Sequence, residues 1–495
     1  MKSNKINIIK SFTLLLLILT GTSCQKLTET PEGKLTPDNF YQTPAQCEAA
    51  FTGSMNGLYS TWGGYTADGF FPNGQNAWPN TSLGYSVSTN NQFWQWHYKA
   101  ISNLNPVLKA IKGGSLKLFP ADQVADITGQ AKFLRAFNYF ILVRLYGKIP
   151  FIDEDTPDVV TTPLKPESRL EIAAVYDKIE ADLVFAAANM YDRDPSTPGK
   201  PNKWTAKSLL SKVYLTRATA PLNETANYAK ARDMADDVIK NGPYSLVPLV
   251  TDVFKTSNVN NNESIFAFQS SALYPAMPGI DNAPDEWGGW GDGAVKALWA
   301  DTYPEQPRKH IYLLTDWPVD LFNIGGDWVS YPNSNSGIPW CGKRCWPNLT
   351  VDQQLTDAGN SGIIMPILRL ADIILVYAEA ANMAGNAPSQ LAVDRLNLII
   401  NRANTPSDTE IPKTSIPGVE PLATTSMSKE AFDLKVIAER DYELCFEFDR
   451  YYDLLRKKLL MEANLPDDAN NFVPTDYLLP IPAFDAKYIG NNPGY

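Results

Sequence analysis

Apolar residues return at three- and four-residue spacing in paired runs along this chain, and that periodicity constrains its fold more than any other feature. The runs are Ala45–Ser60, Phe93–Ile111, Ala121–Tyr146, Ser168–Asn189, Trp204–Ala218 and Ala226–Lys240. After a long interruption come Met365–Met383, Gln390–Arg402 and Lys429–Lys458. Phe133, Phe137, Phe140 and Ile141 mark one face of the third run, and Gly147 and Pro150 stop it. Asn241-Gly242-Pro243 closes the sixth. Helix pairs divided by short breakers predict a helical-repeat scaffold.

Two stretches break the pattern. One is TWGGYTADGFFPNGQNAWPNTSLGYSVSTNN, between the first two helices, and the other spans 241–360 with an irregular insert at 270–360. A strand over Ser264–Gln269 is expected before that insert. The chain's 37 Pro and 30 Gly fit long irregular connections of this kind. Such stretches in a compact protein are usually functional. Ala206, Leu209, Leu210, Val213, Tyr214 and Leu215 show the small-then-large packing of tetratricopeptide helices. The expected class is mainly α: tetratricopeptide-like helix pairs as scaffold, a large irregular loop-rich half and a few short strands.

The N-terminus reads as targeting rather than fold. Lys2, Lys5 and Lys10 precede an apolar core at Phe12–Leu19, too short for a span of roughly 20 residues but suited to secretion. Small residues then lead to Cys24, as in a lipobox, although Gly21 stands where leucine is usual. The expected layout is a signal peptide at 1–23, a lipidated extended leader at 24–44, an N-terminal helical region at 45–240 and a C-terminal region at 241–495. Ile363–Met383 is interrupted by Arg369, Asp372 and Glu379 and reads as a buried soluble helix.

Removing 1–23 takes three lysines and no acid, leaving 40 basic against 54 acidic residues, a net −14. That argues against nucleic acid, which needs a cationic face. Export permits disulfides, and Cys341 and Cys345 are close enough in sequence for a local one. Only His97 and His310 could supply imidazole, without ligand spacing, so no metal site is expected. Scattered Asp and Asn in the loops leave a structural calcium open, and no cofactor is expected. Nucleophilic catalysis has little to work with: there is no G-x-S-x-G elbow, and His97 reads as packing. The Gly-rich GGWGDG lacks the Lys-Ser/Thr of a phosphate loop. Glu439, Glu443 and Glu447 share one helix face and raise the idea of a glycosidase pair. Because they alternate with Arg440, Arg450 and Arg456, they read instead as an ion-pair lattice of carboxylates that stay ionised.

Several segments resemble, in order, motifs of the SusD/RagB family. They are Leu35–Tyr41; Trp94, Tyr98, Ile101 and Asn105; Phe133-Leu134-Arg135-Ala136 with Tyr139, Leu142, Gly147 and Pro150, where Gln130 replaces the usual acid; and Arg369-Leu370-Ala371-Asp372 to Tyr377-Ala378-Glu379-Ala380. Leu396-Asn397, Asn401-Arg402-Ala403, the Glu439–Arg456 cluster, Leu479–Pro482 and Asn491–Tyr495 continue the series. The resemblance implies a non-enzymatic lipoprotein, anchored by Cys24 to the outer membrane and exposed at the cell surface. It implies that the irregular half is the ligand-binding half, capturing oligosaccharide for a SusC-like TonB-dependent transporter.

An exposed indole or phenol offers a flat apolar contact to a sugar ring while polar neighbours take the edge hydroxyls. On that ground Trp78, Tyr85, Trp287, Trp290, Trp328 and Trp340, all in irregular stretches, are candidate platforms, with Asp68 and Arg369 as edge partners. Trp94, Trp204 and Trp299 read as core. Peptide capture by a RagB-like pocket and a pure tetratricopeptide interaction scaffold are the rival functions, and an enzyme ranks last.

Overall fold

Alternating small and large apolar faces let each helix of the first half pack on the one that follows. The computed structural model describes residues 40–62, 75, 87–269, 294–319, 327–345, 364, 366–406, 419–468 and 474–494. Helices α1 (Pro44–Trp62), α2 (Val87–Lys112) and α3 (Ala121–Tyr146) are followed by a two-residue strand β1 (Ile149–Pro150), which pairs antiparallel with β2 (Arg169–Leu170). Next come α4 (Ile172–Asn189), α5 (Lys203–Ala218) and α6 (Asn227–Asn241). Contacts run in series, α1 on α2, α2 on α3, α3 on α4, α4 on α5 and α5 on α6. That is the expected helical-repeat scaffold.

Local chemistry sets the helix ends. Asn202 caps α5, its side chain accepting from the backbone N–H of Trp204 and Thr205. Gly147 ends α3 at φ 68°, where a side chain would be strained, and a Cβ there would also push on Leu478 Cδ1 at 2.9 Å.

After α6 the chain leaves the series. Strand β3 (Ser264–Ala267) is followed by the short helices α7 (Ala297–Thr302) and α8 (Pro307–Tyr312) and by strands β4 (Leu313–Leu314), β5 (Asp316–Pro318), β6 (Trp328–Ser330) and β7 (Trp340–Cys341). Then come α9 (Gly342–Cys345) and β8 (Pro366–Arg369). The strands form two-stranded antiparallel pairs, β3 with β8, β4 with β7 and β5 with β6. Helix α10 (Leu370–Ala384) then packs on α6, so the helical series resumes as though the excursion had been inserted into it. Residues Leu370 to Asn382 of α10 are all buried, as expected of a helix enclosed on every side. Helices α11 (Gln390–Ala403) and α12 (Lys429–Glu443) pack on α10, and α13 (Arg450–Lys457), α14 (Leu460–Asp468) and α15 (Ala483–Ile489) complete the chain.

Among the described residues two apolar cores result. The larger runs from Cys47 to Ile489 through the helical series, and it holds Trp94 and Trp204. The smaller lies in the irregular half around Trp299, Tyr312, Trp317, Trp340 and Phe446. Trp94, Trp204 and Trp299 are core residues as read from the sequence, and His97 is buried with Nδ1 2.8 Å from Asn138 Oδ1.

Two expectations need correcting. The helix expected over Lys429–Lys458 is two helices. The chain turns at Phe446 (φ 60°) and Phe448 (φ 73°), left-handed conformations that cost an aromatic residue on the order of 1–3 kcal/mol each and persist because both rings are buried. The helix expected from Met365 begins only at Leu370, because Pro366–Arg369 pairs as a strand with β3.

Candidate functional site

The C-terminal turn of α12 is where the irregular half is mounted on the helices. Its successive side chains leave in different directions, and each meets a different element. Arg440 bonds Asp372 of α10 at 2.7 Å and Asp453 of α13 at 2.8 Å. Glu439 and Glu443 both accept from Arg308 of α8, at 2.6 and 2.7 Å. Glu443 also accepts from Arg369 of β8 and Arg402 of α11, at 2.8 and 2.7 Å, and from the Tyr312 hydroxyl at 3.2 Å. Glu263 bridges the same two arginines, and Glu447 holds Arg369 and Lys343.

These carboxylates form the ion-pair lattice expected from the sequence. Glu439 and Glu443 are 0 % exposed, so no substrate reaches them as a glycosidase pair would require. The expectation that all stay ionised fails at one place. Burial pushes the Glu439 carboxyl up to about 8 and outweighs Arg308, its cationic partner in the lattice. For Glu443 burial acts in the same direction, but Arg402, Arg369 and Arg308 together hold it well below the usual carboxylate range. Two carboxylates pushed apart in this way are a familiar active-site signature; here the cause is the number of guanidinium partners each has.

Arg369 is therefore not an edge partner for a ligand. It is 1 % exposed, and its guanidinium is occupied by Glu263, Glu443 and Glu447. Trp340 is likewise corrected from platform to core. It is 2 % exposed, in β7, with Leu314 opposite it across the ladder. Hydrophobic burial of this kind removes the flat ring from any sugar.

Trp328 fares differently. In the β5–β6 ladder Trp317 pairs with Val329 and Pro318 with Trp328. Trp317 and Pro318 are both buried, whereas Trp328, across the ladder from Pro318, stays half-buried at the edge of the smaller core. Just beyond β6, Tyr331 donates its hydroxyl to Asp301 of α7 at 2.8 Å, an exposed bond that raises the phenol's pKa. A half-buried indole and phenol, with an exposed carboxylate beside the latter, are the right groups for stacking and edge recognition. Tyr331 was missed in the sequence, although it lies in the same loop-aromatic context that singled out Trp328.

Cys24, Asp68, Trp78, Tyr85, Trp287 and Trp290 lie outside the described residues, as does the side chain of Cys345; Cys341 is buried. Described residues near Trp78 and Trp290 in sequence do meet. Gln75, three residues before Trp78, accepts at its backbone carbonyl from Lys296 N–H at 2.7 Å, six residues after Trp290. The Gln75 side chain donates to Asp441 Oδ1 and to the Asp441 carbonyl, at 2.5 and 3.1 Å. Trp299 donates its indole N–H to the other Asp441 oxygen at 3.2 Å. Neither Gln75 nor Asp441 stood out in the sequence, since a contact between positions 366 residues apart carries no periodic signal.

Comparison with known proteins fits this architecture. A family model described as "Starch-binding associating with outer membrane" matches residues 42–215, and one described as "SusD family" matches 322–480. A SusD-like protein P2 of Formosa agariphila is 28 % identical over 98 % of this chain and 99 % of its own. A SusD superfamily protein from Parabacteroides distasonis superposes with a TM-score of 0.73 at 21 % identity, covering 93 % of this chain and all of the other. A laminarin-binding SusD-like protein does so with a TM-score of 0.68 at 21 % identity, over 91 % and 99 % of the two chains. With its helical series, its inserted irregular half and these matches along nearly its whole length, the chain belongs to the SusD/RagB family.

Proposed function

We propose that this protein binds oligosaccharide at the outer-membrane surface and hands it, unchanged, to a SusC-like TonB-dependent transporter, tethered meanwhile by lipid on Cys24. The observation that carries this reading is the bond between Gln75 and Lys296, because it brings together the chain next to both aromatic-rich stretches. Trp78 and Tyr85 follow Gln75 by three and ten residues, and Trp287 and Trp290 precede Lys296 by nine and six. All four aromatic residues thus fall within ten residues of that bond along the chain. Trp328 adds a ring from the β5–β6 hairpin of the same irregular half.

Sugar would bind by stacking on these rings, with Asp68 and Asp301 accepting from edge hydroxyls. Each such hydrogen bond replaces one to water, so affinity for a short oligosaccharide is expected to be micromolar to millimolar, on the order of 4–8 kcal/mol. A similar fold binds laminarin in one relative and was solved with xylogluco-oligosaccharide in another, which supports carbohydrate over peptide.

Affinity gels with laminarin, xyloglucan and starch test the proposal, using Trp78→Ala, Trp290→Ala and Trp328→Ala beside the unaltered protein. Retardation of the parent by at least one polysaccharide, weakened in the variants, is the expected result. Binding of peptide pools with indifference to every polysaccharide would replace it with peptide capture. Release of reducing ends on incubation would overturn the non-enzymatic reading.

A further inference from the structure

Asp441 is buried, being 8 % exposed, yet it is the point at which two separate stretches of the chain are fixed. One carboxylate oxygen accepts from Gln75 Nε2 at 2.5 Å and lies 2.9 Å from Arg450 Nε, while the other accepts from Trp299 Nε1 at 3.2 Å. The Gln75 amide reaches the Asp441 carbonyl as well, so the residue is gripped through both main chain and side chain. Trp299 in turn sets its ring edge-on to Tyr303 and Phe446, with centroids 5.5 and 5.9 Å away. The Tyr303 hydroxyl donates to the carbonyl of Tyr442, the next residue of α12. Lys296 N–H closes the figure on the Gln75 carbonyl. Stretches more than 200 residues apart in sequence thus share one acceptor on a helix that the ion lattice holds rigid.

We propose that Asp441 is a positioning residue that sets the register between Gln75 and the chain from Ala294 to Thr302, and so tunes carbohydrate affinity without touching carbohydrate. This rests on the glycan-binding reading for its functional half. The structural half stands by itself: loosening either stretch should loosen the other, because they bond to the same carboxylate and to each other.

The test is hydrogen exchange by mass spectrometry on the full chain, together with affinity gels using laminarin, xyloglucan and starch. Gln75→Leu keeps the side chain's bulk and removes its donor; Asp441→Asn keeps one acceptor oxygen and removes the charge. Gln75→Leu is expected to raise exchange in peptides covering 294–302, far from it in sequence, and to leave α3 and α5 peptides unchanged. Affinity should fall about tenfold, the effect of one well-made bond. Asp441→Asn should raise exchange in both stretches. Exchange confined to the mutated stretch, or coupled exchange with unchanged affinity for a polysaccharide the parent binds, would overturn the proposal. If the parent binds none of the three polysaccharides, the functional reading falls, and exchange alone decides whether Asp441 couples the stretches. Should Asp441→Asn fail to fold, Gln75→Leu carries the test.

Discussion

Glu443→Gln is the sharpest perturbation the structure offers. The native carboxylate is 0 % exposed and accepts from three guanidinium groups, on α8, β8 and α11, and from the Tyr312 hydroxyl. Glutamine has nearly the same shape, but it is neutral and turns an NH2 toward cations. Arg308 keeps Glu420 at 3.5 Å and its hydrogen bonds to Glu439, Arg369 keeps Glu263 and Glu447, and Arg402 keeps Glu263, so no cation is wholly orphaned. Removing one partner from a buried ionic cluster costs about 3–5 kcal/mol. For a unit spanning Tyr41–Tyr495, unfolding entropy is roughly 1 kcal/mol per degree, so the melting temperature should fall by about 3–5 °C. Calorimetry at pH 7 measures it. The sign with pH is also fixed. The folded carboxyl lies below its unfolded value, so its stabilisation is complete above about pH 4.3 and fades as pH falls toward the folded value. The gap between parent and variant should therefore narrow in acid. A melting point within about 1 °C of the parent at pH 7, or a gap that widens in acid, would refute the claim that this lattice holds the irregular half to the helices.

Glu439→Gln should behave in the opposite sense. Its folded pKa of about 8 lies above the unfolded value, so the native residue favours folding in acid and loses that contribution as pH rises toward 8. The variant should match or exceed the parent at pH 9 in thermal melts, and a larger loss there than at pH 6 would contradict the assignment. Gly147→Ala places a Cβ at a positive φ and 2.9 Å from Leu478, and should lower stability by about 1–3 kcal/mol in denaturant titrations. Trp94→Phe removes the 2.6 Å bond to Asp485 and should cost about 1.5–3 kcal/mol, with hydrogen exchange rising in Ala483–Ile489 before it rises elsewhere.

The periodic spacing of apolar residues determined the helices, because a helix in a repeat needs only its own face and the next one. Hence α3 and α5 begin and end within a residue of expectation, and Trp94, Trp204 and Trp299 are core as read. The motif residues behind the family resemblance also prove to be framework. Arg135 ties α3 to Asp182 of α4, Asp372 joins Lys212 to Arg440, and Glu379 takes Arg456. What the sequence could not decide is which polar groups meet across the excursion between α6 and α10. Arg369 and Trp340 looked available and are buried, since burial depends on what folds over a residue and not on its neighbours in the chain. Conversely, Gln75 and Asp441 carry no pattern, yet they find each other across most of the sequence, because only the packed α12 presents that carboxylate to both stretches at once.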